Sequence, residues 1–127
     1  MVLIRGLTCK VSGLPREAAN EKPLDQQYLL ALIAPRPLLL GGASLDRWSD
    51  PAGAFQTAQS ASAAWRLFGG AGLVQASMRE TDLDADVAYY FRSGGHGVRR
   101  SDYATAIAFL NRQFTPERLA ALSGEGD

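Results

Sequence analysis

The sequence predicts an α/β protein whose parallel strands alternate with helices. Two short apolar runs bounded by breakers, "PLLLGG" and "VAYYFRSGG", read as buried strands. Each is followed by a loop and then by a segment with helical apolar spacing. Strand, loop, helix, strand, loop, helix is the order of a parallel sheet covered by helices.

Each element has its own local reasons. The first twenty residues offer at most one weak strand, "VLIRG". "DQQYLLALI", 25 to 33, forms a short helix with Leu29, Leu32 and Ile33 on one face, and Pro35 and Pro37 force its end. "PLLLGG", 37 to 42, is continuously apolar between breakers and becomes the first buried strand. A second helix begins at Pro51, whose fixed φ suits a first helical position, with Asp50 as its N-cap. Its apolar stripe is Phe55, Ala58, Ala61, Trp65 and Phe68, and Gly69, Gly70 and Gly72 stop it. After the strand in "VAYYFRSGG", "SDYATAIAFLNRQF" forms a third helix with Tyr103, Ile107, Leu110 and Phe114 at helical spacing. Phe55, Trp65 and Phe114 are expected in the core. Thr115 and Pro116 start a last short helix, and the polar finish frays.

Two strands make a poor sheet. Few ladder bonds and little buried apolar surface would offset the entropy of ordering, and a parallel pair normally belongs to a larger sheet. The expectation is therefore the C-terminal portion of a larger α/β fold, incomplete as written.

Charge and composition exclude several classes of function. The 127 residues make one domain or a piece of one, and 46% hydrophobic composition supports a real core. Thirteen basic and thirteen acidic side chains cancel, so no broad positive field exists for nucleic acid or an anionic membrane, and neither partner is expected. The single cysteine, Cys9, has no disulfide partner and no ligand set around it. It reads as a small core residue or an exposed thiol. "MVLIRGLTCKVSG" is too short in apolar residues for a spanning helix or an export signal, so the chain as written reads as soluble and not exported.

Open α/β sheets place their chemistry in loops at the carboxyl ends of strands. Here those loops are "GGASLDRWSDP" and "RSGGHG". They carry Asp46 and then His96, the only histidine. In α/β-hydrolases the catalytic triad runs serine, acid, histidine along the chain, each on such a loop. The chemistry requires these residue types: imidazole takes the serine proton, and a carboxylate on its other nitrogen fixes the tautomer and stabilises the imidazolium. Glycines beside His96 let the backbone turn sharply. Without a family context, a histidine in a glycine turn is also read as a solvated loop residue, and Asp46 as a loop or salt-bridge carboxylate. Asp50, directly before Pro51, reads as a cap rather than an acid. Trp48 either lines a sugar-binding cleft or covers the apolar side of its loop.

Two long segments, "PLDQQYLLALIAPRPLLLGGASLDRWSDPAGAF" and "YYFRSGGHGVRRSDYATAIAFLNRQF", resemble the C-terminal third of the bacterial glucuronoyl esterase and acetylxylan-esterase-like α/β-hydrolases. The shared features are an "ALIAPRP" segment, a D-R-W-x-D-P loop and a G-G-H-G loop before a final helix. The resemblance covers roughly 20 to 114, leaving 1 to 19 as a divergent or truncated segment and 115 to 127 as a terminal helix and tail. It implies serine esterase chemistry on the ester joining glucuronic acid in xylan to lignin alcohols, with no metal or organic cofactor, in enzymes that are typically exported. On it, His96 matches the catalytic histidine and Asp46 an acid position; Trp48 is a substrate-binding candidate by its residue type and its place in the acid loop alone. Other members take the acid from a glutamate after an earlier strand.

The family's nucleophile lies in a G-x-S-x-G-like elbow, and the 127 residues contain no such motif. The oxyanion donors that accompany it are missing too. Other chemistries fail on spacing: Asp82, Asp84 and Asp86 begin like a calcium loop, but Val87 stands where glycine is required and Ser93 where the bidentate glutamate belongs. "GGAGLVQ" lacks the third glycine of a dinucleotide loop. Three readings follow: an esterase fragment inactive alone, which is preferred; one chain of a split hydrolase completed by a missing N-terminal polypeptide; or a non-catalytic carbohydrate-binding module.

Overall fold

The computed structural model describes residues 2–5 and 26–123. Expectations for Cys9, for the boundary near residue 19 and for the tail after residue 123 lie outside the described residues. In chain order the elements are β1 (Val2–Arg5), α1 (Gln26–Ala31), β2 (Leu38–Ala43), a 3-10 turn (Arg47–Ser49), α2 (Pro51–Leu67), β3 (Val87–Arg92), α3 (Arg100–Gln113) and α4 (Pro116–Ser123). The strands form one parallel sheet in the order β1-β2-β3, so the weak strand expected in "VLIRG" supplies one edge.

Both faces of the sheet are covered, and the period of two along the strands decides which side chain goes where. On one face Leu38 and Leu40 of β2, with Val87 and Tyr89 of β3, pack against Leu30 of α1 and against Phe55, Ala58, Ala61 and Trp65 of α2. On the other face Leu39 and Ala88 pack against Ala106 and Phe109 of α3. The Trp65 ring, fully buried, donates its Nε1–H to the Arg36 carbonyl at 3.1 Å, which satisfies the polar end of an otherwise apolar side chain.

The outer edge of β3 is closed by a side chain rather than by a full strand. Gln75 Oε1 accepts from the Tyr89 N–H at 2.9 Å, and its Nε2 donates to the Tyr89 carbonyl at 3.1 Å. One amide thereby replaces a pair of ladder bonds, beside an isolated parallel bridge between Leu73 and Val87.

Asp50 caps α2 as expected, accepting from the Gly53 N–H at 3.1 Å, with Pro51 at the first helical position. Asp50 itself adopts a left-handed conformation, with φ of 37°. Three expectations about packing need correction. Helix α1 ends at Ala31, and its inward residue is Leu30, whereas Leu29 and Leu32 are exposed; in a helix of under two turns one position suffices to dock on α2. Phe68 falls just past the end of α2, where the backbone leaves the helix, and its ring is exposed. Helix α3 is rotated by one residue from its apolar stripe. Tyr103, Ile107 and Phe114 are exposed, so Phe114 is not core, while Asp102, Ala106, Phe109 and Gln113 face inward.

The rotation of α3 has a polar cause. Gln113 Nε2 donates to the carbonyls of Leu83 and Ala85, at 3.0 and 2.9 Å, and Asp102 receives Arg92 at 2.9 Å. Satisfying these buried polar groups outweighs the gain from burying the neighbouring apolar stripe.

Candidate active site

The loops after β2 and β3 leave the same end of the sheet and are stitched together along the way. The Ser44 N–H donates to the Arg92 carbonyl and the Leu45 N–H to the Gly94 carbonyl, each at 2.9 Å. Ser44 Oγ accepts from the Gly94 N–H at 3.2 Å. Two segments fifty residues apart thus run side by side beyond the strands.

At their tips Asp46 and His96 meet. His96 Nδ1 lies 2.8 Å from Asp46 Oδ2. A carboxylate only accepts, so Nδ1 carries a proton, and in the neutral imidazole Nε2 then holds the free lone pair. The His96 side chain is 82% exposed, whereas that of Asp46 is only 11% exposed. The acid therefore sits inside the loop and the imidazole projects from it. The hydrogen bond from His96 is the main cause holding the Asp46 carboxyl below its ordinary value, partly opposed by desolvation and helped by Ser49. Ser49 also fixes the turn, donating through Oγ to the Asp46 carbonyl at 3.0 Å.

Gly94 and Gly97 flank the histidine with φ of 106° and 114°, values essentially closed to other residues. The sequence-level reason for the glycines around His96 therefore holds at these two positions. Trp48 lies in the 3-10 turn that follows Asp46, with 77% of its surface exposed. Asp50 is engaged in capping and Asp46, not Asp50, reaches the imidazole.

No protein-family model matches the chain. A curated carbohydrate esterase from an unknown prokaryotic organism is 38% identical over 98 residues, which is 76% of this chain and 23% of that protein. Among solved structures, a promiscuous CE15 esterase from a marine bacterial metagenome superposes with a TM-score of 0.70 at 36% identity. A glucuronoyl esterase from Solibacter usitatus gives 0.67 at 37%, and a CE15 glucuronoyl esterase from Teredinibacter turnerae 0.67 at 35%. Each match covers 76% of this chain.

The chain carries the C-terminal part of a glucuronoyl-esterase-like α/β-hydrolase fold. It spans about a quarter of the length of the relatives it matches.

Sequence reasoning about this glucuronoyl-esterase-like segment missed Arg92 and Asp102, a buried pair directly beneath the His96 loop. Arg92 ends an apolar strand, and Asp102 stands three residues after Arg99 at a helix start. The pattern of a carboxylate in the first helical turn was a legible signal for a cap, but nothing in it pointed to a partner across the sheet end. Ser44 and Ser49, which sequence position alone offers as substitute nucleophiles, instead shape the acid loop.

Proposed function

We propose that this chain supplies the acid and histidine of a serine carbohydrate esterase of the glucuronoyl type, a carboxylic ester hydrolase. Asp46 is the acid, His96 the general base, and the serine and its oxyanion donors are absent from these 127 residues. The observation that carries the reading is the 2.8 Å contact of His96 Nδ1 with Asp46 Oδ2, with an imidazole that projects from the loop.

In this arrangement Nε2 is the atom left to accept a serine hydroxyl proton, while Asp46 holds the tautomer and stabilises the imidazolium that forms. The proton then passes from Nε2 to the departing alcohol oxygen. Trp48, exposed on the turn after Asp46, offers a flat apolar surface for a sugar ring. The names of the similar solved enzymes favour a glucuronoyl ester as substrate. Neither a metal nor an organic cofactor has a part in this chemistry.

A general base acts only on a proton within hydrogen-bond reach, so the chain by itself turns over neither glucuronoyl nor acetyl esters above buffer. Joining residues 20 to 114 to the N-terminal part of a full-length relative restores hydrolysis of a glucuronoyl ester. In that chimera His96→Ala abolishes turnover, and Asp46→Asn lowers it on the order of ten-thousand-fold. An active chimera indifferent to His96→Ala overturns the assignment, as does robust His96-dependent hydrolysis by the chain alone.

A further inference from the structure

Three carbonyls of the His96 loop converge on one buried cation. Arg92, the last residue of β3, is 8% exposed. Its Nη1 donates to the carbonyls of Ser93 and Gly95, at 3.2 Å each, and its Nη2 to that of Gly97 at 2.7 Å. Its Nε donates to Asp102 Oδ1 at 2.9 Å. The other carboxylate oxygen, Oδ2, accepts from the backbone N–H of Arg99 at 2.8 Å. One guanidinium therefore ties the strand end, both flanks of His96 and the start of α3 into a single network.

Stability alone does not account for such a pair. A buried ion pair is often replaceable by apolar residues of similar volume at no cost in stability, because desolvation offsets its attraction. What an apolar substitute cannot do is hold alternate carbonyls of a loop. A planar guanidinium directs several N–H groups in fixed directions, whereas an ammonium is a compact point charge. The left-handed backbone at Gly94 and Gly97 is what the turn needs to present these carbonyls inward while the imidazole remains outside.

We infer that Arg92 is a positioning residue for His96, anchored by Asp102: it fixes the loop at residues 93, 95 and 97 so that Nδ1 meets Asp46 and Nε2 stays free. This rests on the reading of His96 and Asp46 as the base and acid of the site. Arg92 touches neither substrate nor reacting atoms and acts only through the loop.

The full chain has one histidine, so nitrogen NMR of the neutral imidazole reports the tautomer without overlap. In the native chain the Nδ1–H form dominates. Arg92→Lys keeps the charge but loses the fork, and the tautomers become mixed while exchange of the Gly94 and Leu45 amides, which donate to Ser44 Oγ and to the Gly94 carbonyl, accelerates at least tenfold. The double variant Arg92→Met/Asp102→Asn removes both buried charges and keeps an acceptor for the Arg99 N–H, so it retains the amide spectrum of α2 and β2 yet shows the same two changes. If either folded variant keeps the native tautomer and native exchange, the positioning role is overturned. Asp46→Asn separates the two readings: it removes the tautomer preference but leaves exchange of the Gly94 and Leu45 amides slow. A native chain without Nδ1–H preference sinks the acid and base reading, while the exchange comparison still decides whether Arg92 holds the loop.

Discussion

His96 and Asp46, fifty residues apart in sequence, are joined by a 2.8 Å contact at the tips of two adjoining loops. The hydrogen bond from the imidazole is the first cause holding the Asp46 carboxyl below its ordinary titration range. Because the folded value is the lower one, the contribution of Asp46 to stability is fully present above the ordinary carboxylate value of 3.8 and is lost as pH falls through the folded value. A carbon NMR titration of the Asp46 carboxyl should therefore give a lower midpoint in the native chain than in His96→Ala. Equal midpoints would show that the pair does not form in solution.

Tyr89 gives the opposite sign at the alkaline end. Burial, and secondarily the charge of Asp50, push its hydroxyl up to about 12 from the ordinary 10.0. The folded value is raised, so this contribution is complete below pH 10 and is lost as pH rises toward 12. Its hydroxyl donates to the Pro51 carbonyl at 2.8 Å, above a Gly42 that leaves it room. Tyr89→Phe should lower stability at neutral pH by roughly 1 kcal/mol for the lost hydrogen bond and flatten the decline between pH 10 and 12. Parallel alkaline unfolding curves for the two proteins would contradict this.

Asp50 combines two local demands. It caps α2 and stands at φ of 37°, a region that asparagine and aspartate tolerate better than alanine. Asp50→Asn should change stability little. Asp50→Ala should cost about 0.5–2 kcal/mol for the cap, with backbone strain added. Denaturant unfolding of the two variants is the measurement, and an indifferent Asp50→Ala would refute the capping role.

The exposed side of α3 carries Tyr103 and Ile107, at 62% and 57% exposure, with Phe114 beyond them. Apolar side chains clustered on one helix face bind hydrophobic dyes and promote self-association. The chain should bind such a dye, and Ile107→Lys with Tyr103→Lys should weaken that binding without loss of stability. Unchanged fluorescence in the double variant would place the dye elsewhere.

Much of the fold was legible because its signals are local. Pro51 after Asp50 marks a helix start whatever lies around it, and "PLLLGG" between breakers can only be buried. The order of acid before histidine, each after a strand, was legible for the same reason. The inward face of α3 was not: its sequence holds two stripes one residue apart, and helical periodicity alone favours the more apolar one. Arg92 was also hidden, since a charged residue closing an apolar strand is ordinarily read as reaching solvent.

By itself, then, the sequence determined the alternation of strands and helices, the cap at Asp50, the glycine turn around His96 and the candidate pair of Asp46 and His96, all through short-range backbone preferences and the chemistry of single side chains. Tertiary structure alone decided that Gln75 closes the edge of β3, that α3 turns Asp102 and Gln113 inward, and that Arg92 holds the His96 loop. Those choices depend on buried polar groups finding partners far away in sequence. An unpaired donor or acceptor in the interior costs about 1–3 kcal/mol, enough to rotate a helix away from its most apolar face, and no periodicity records where such partners will be.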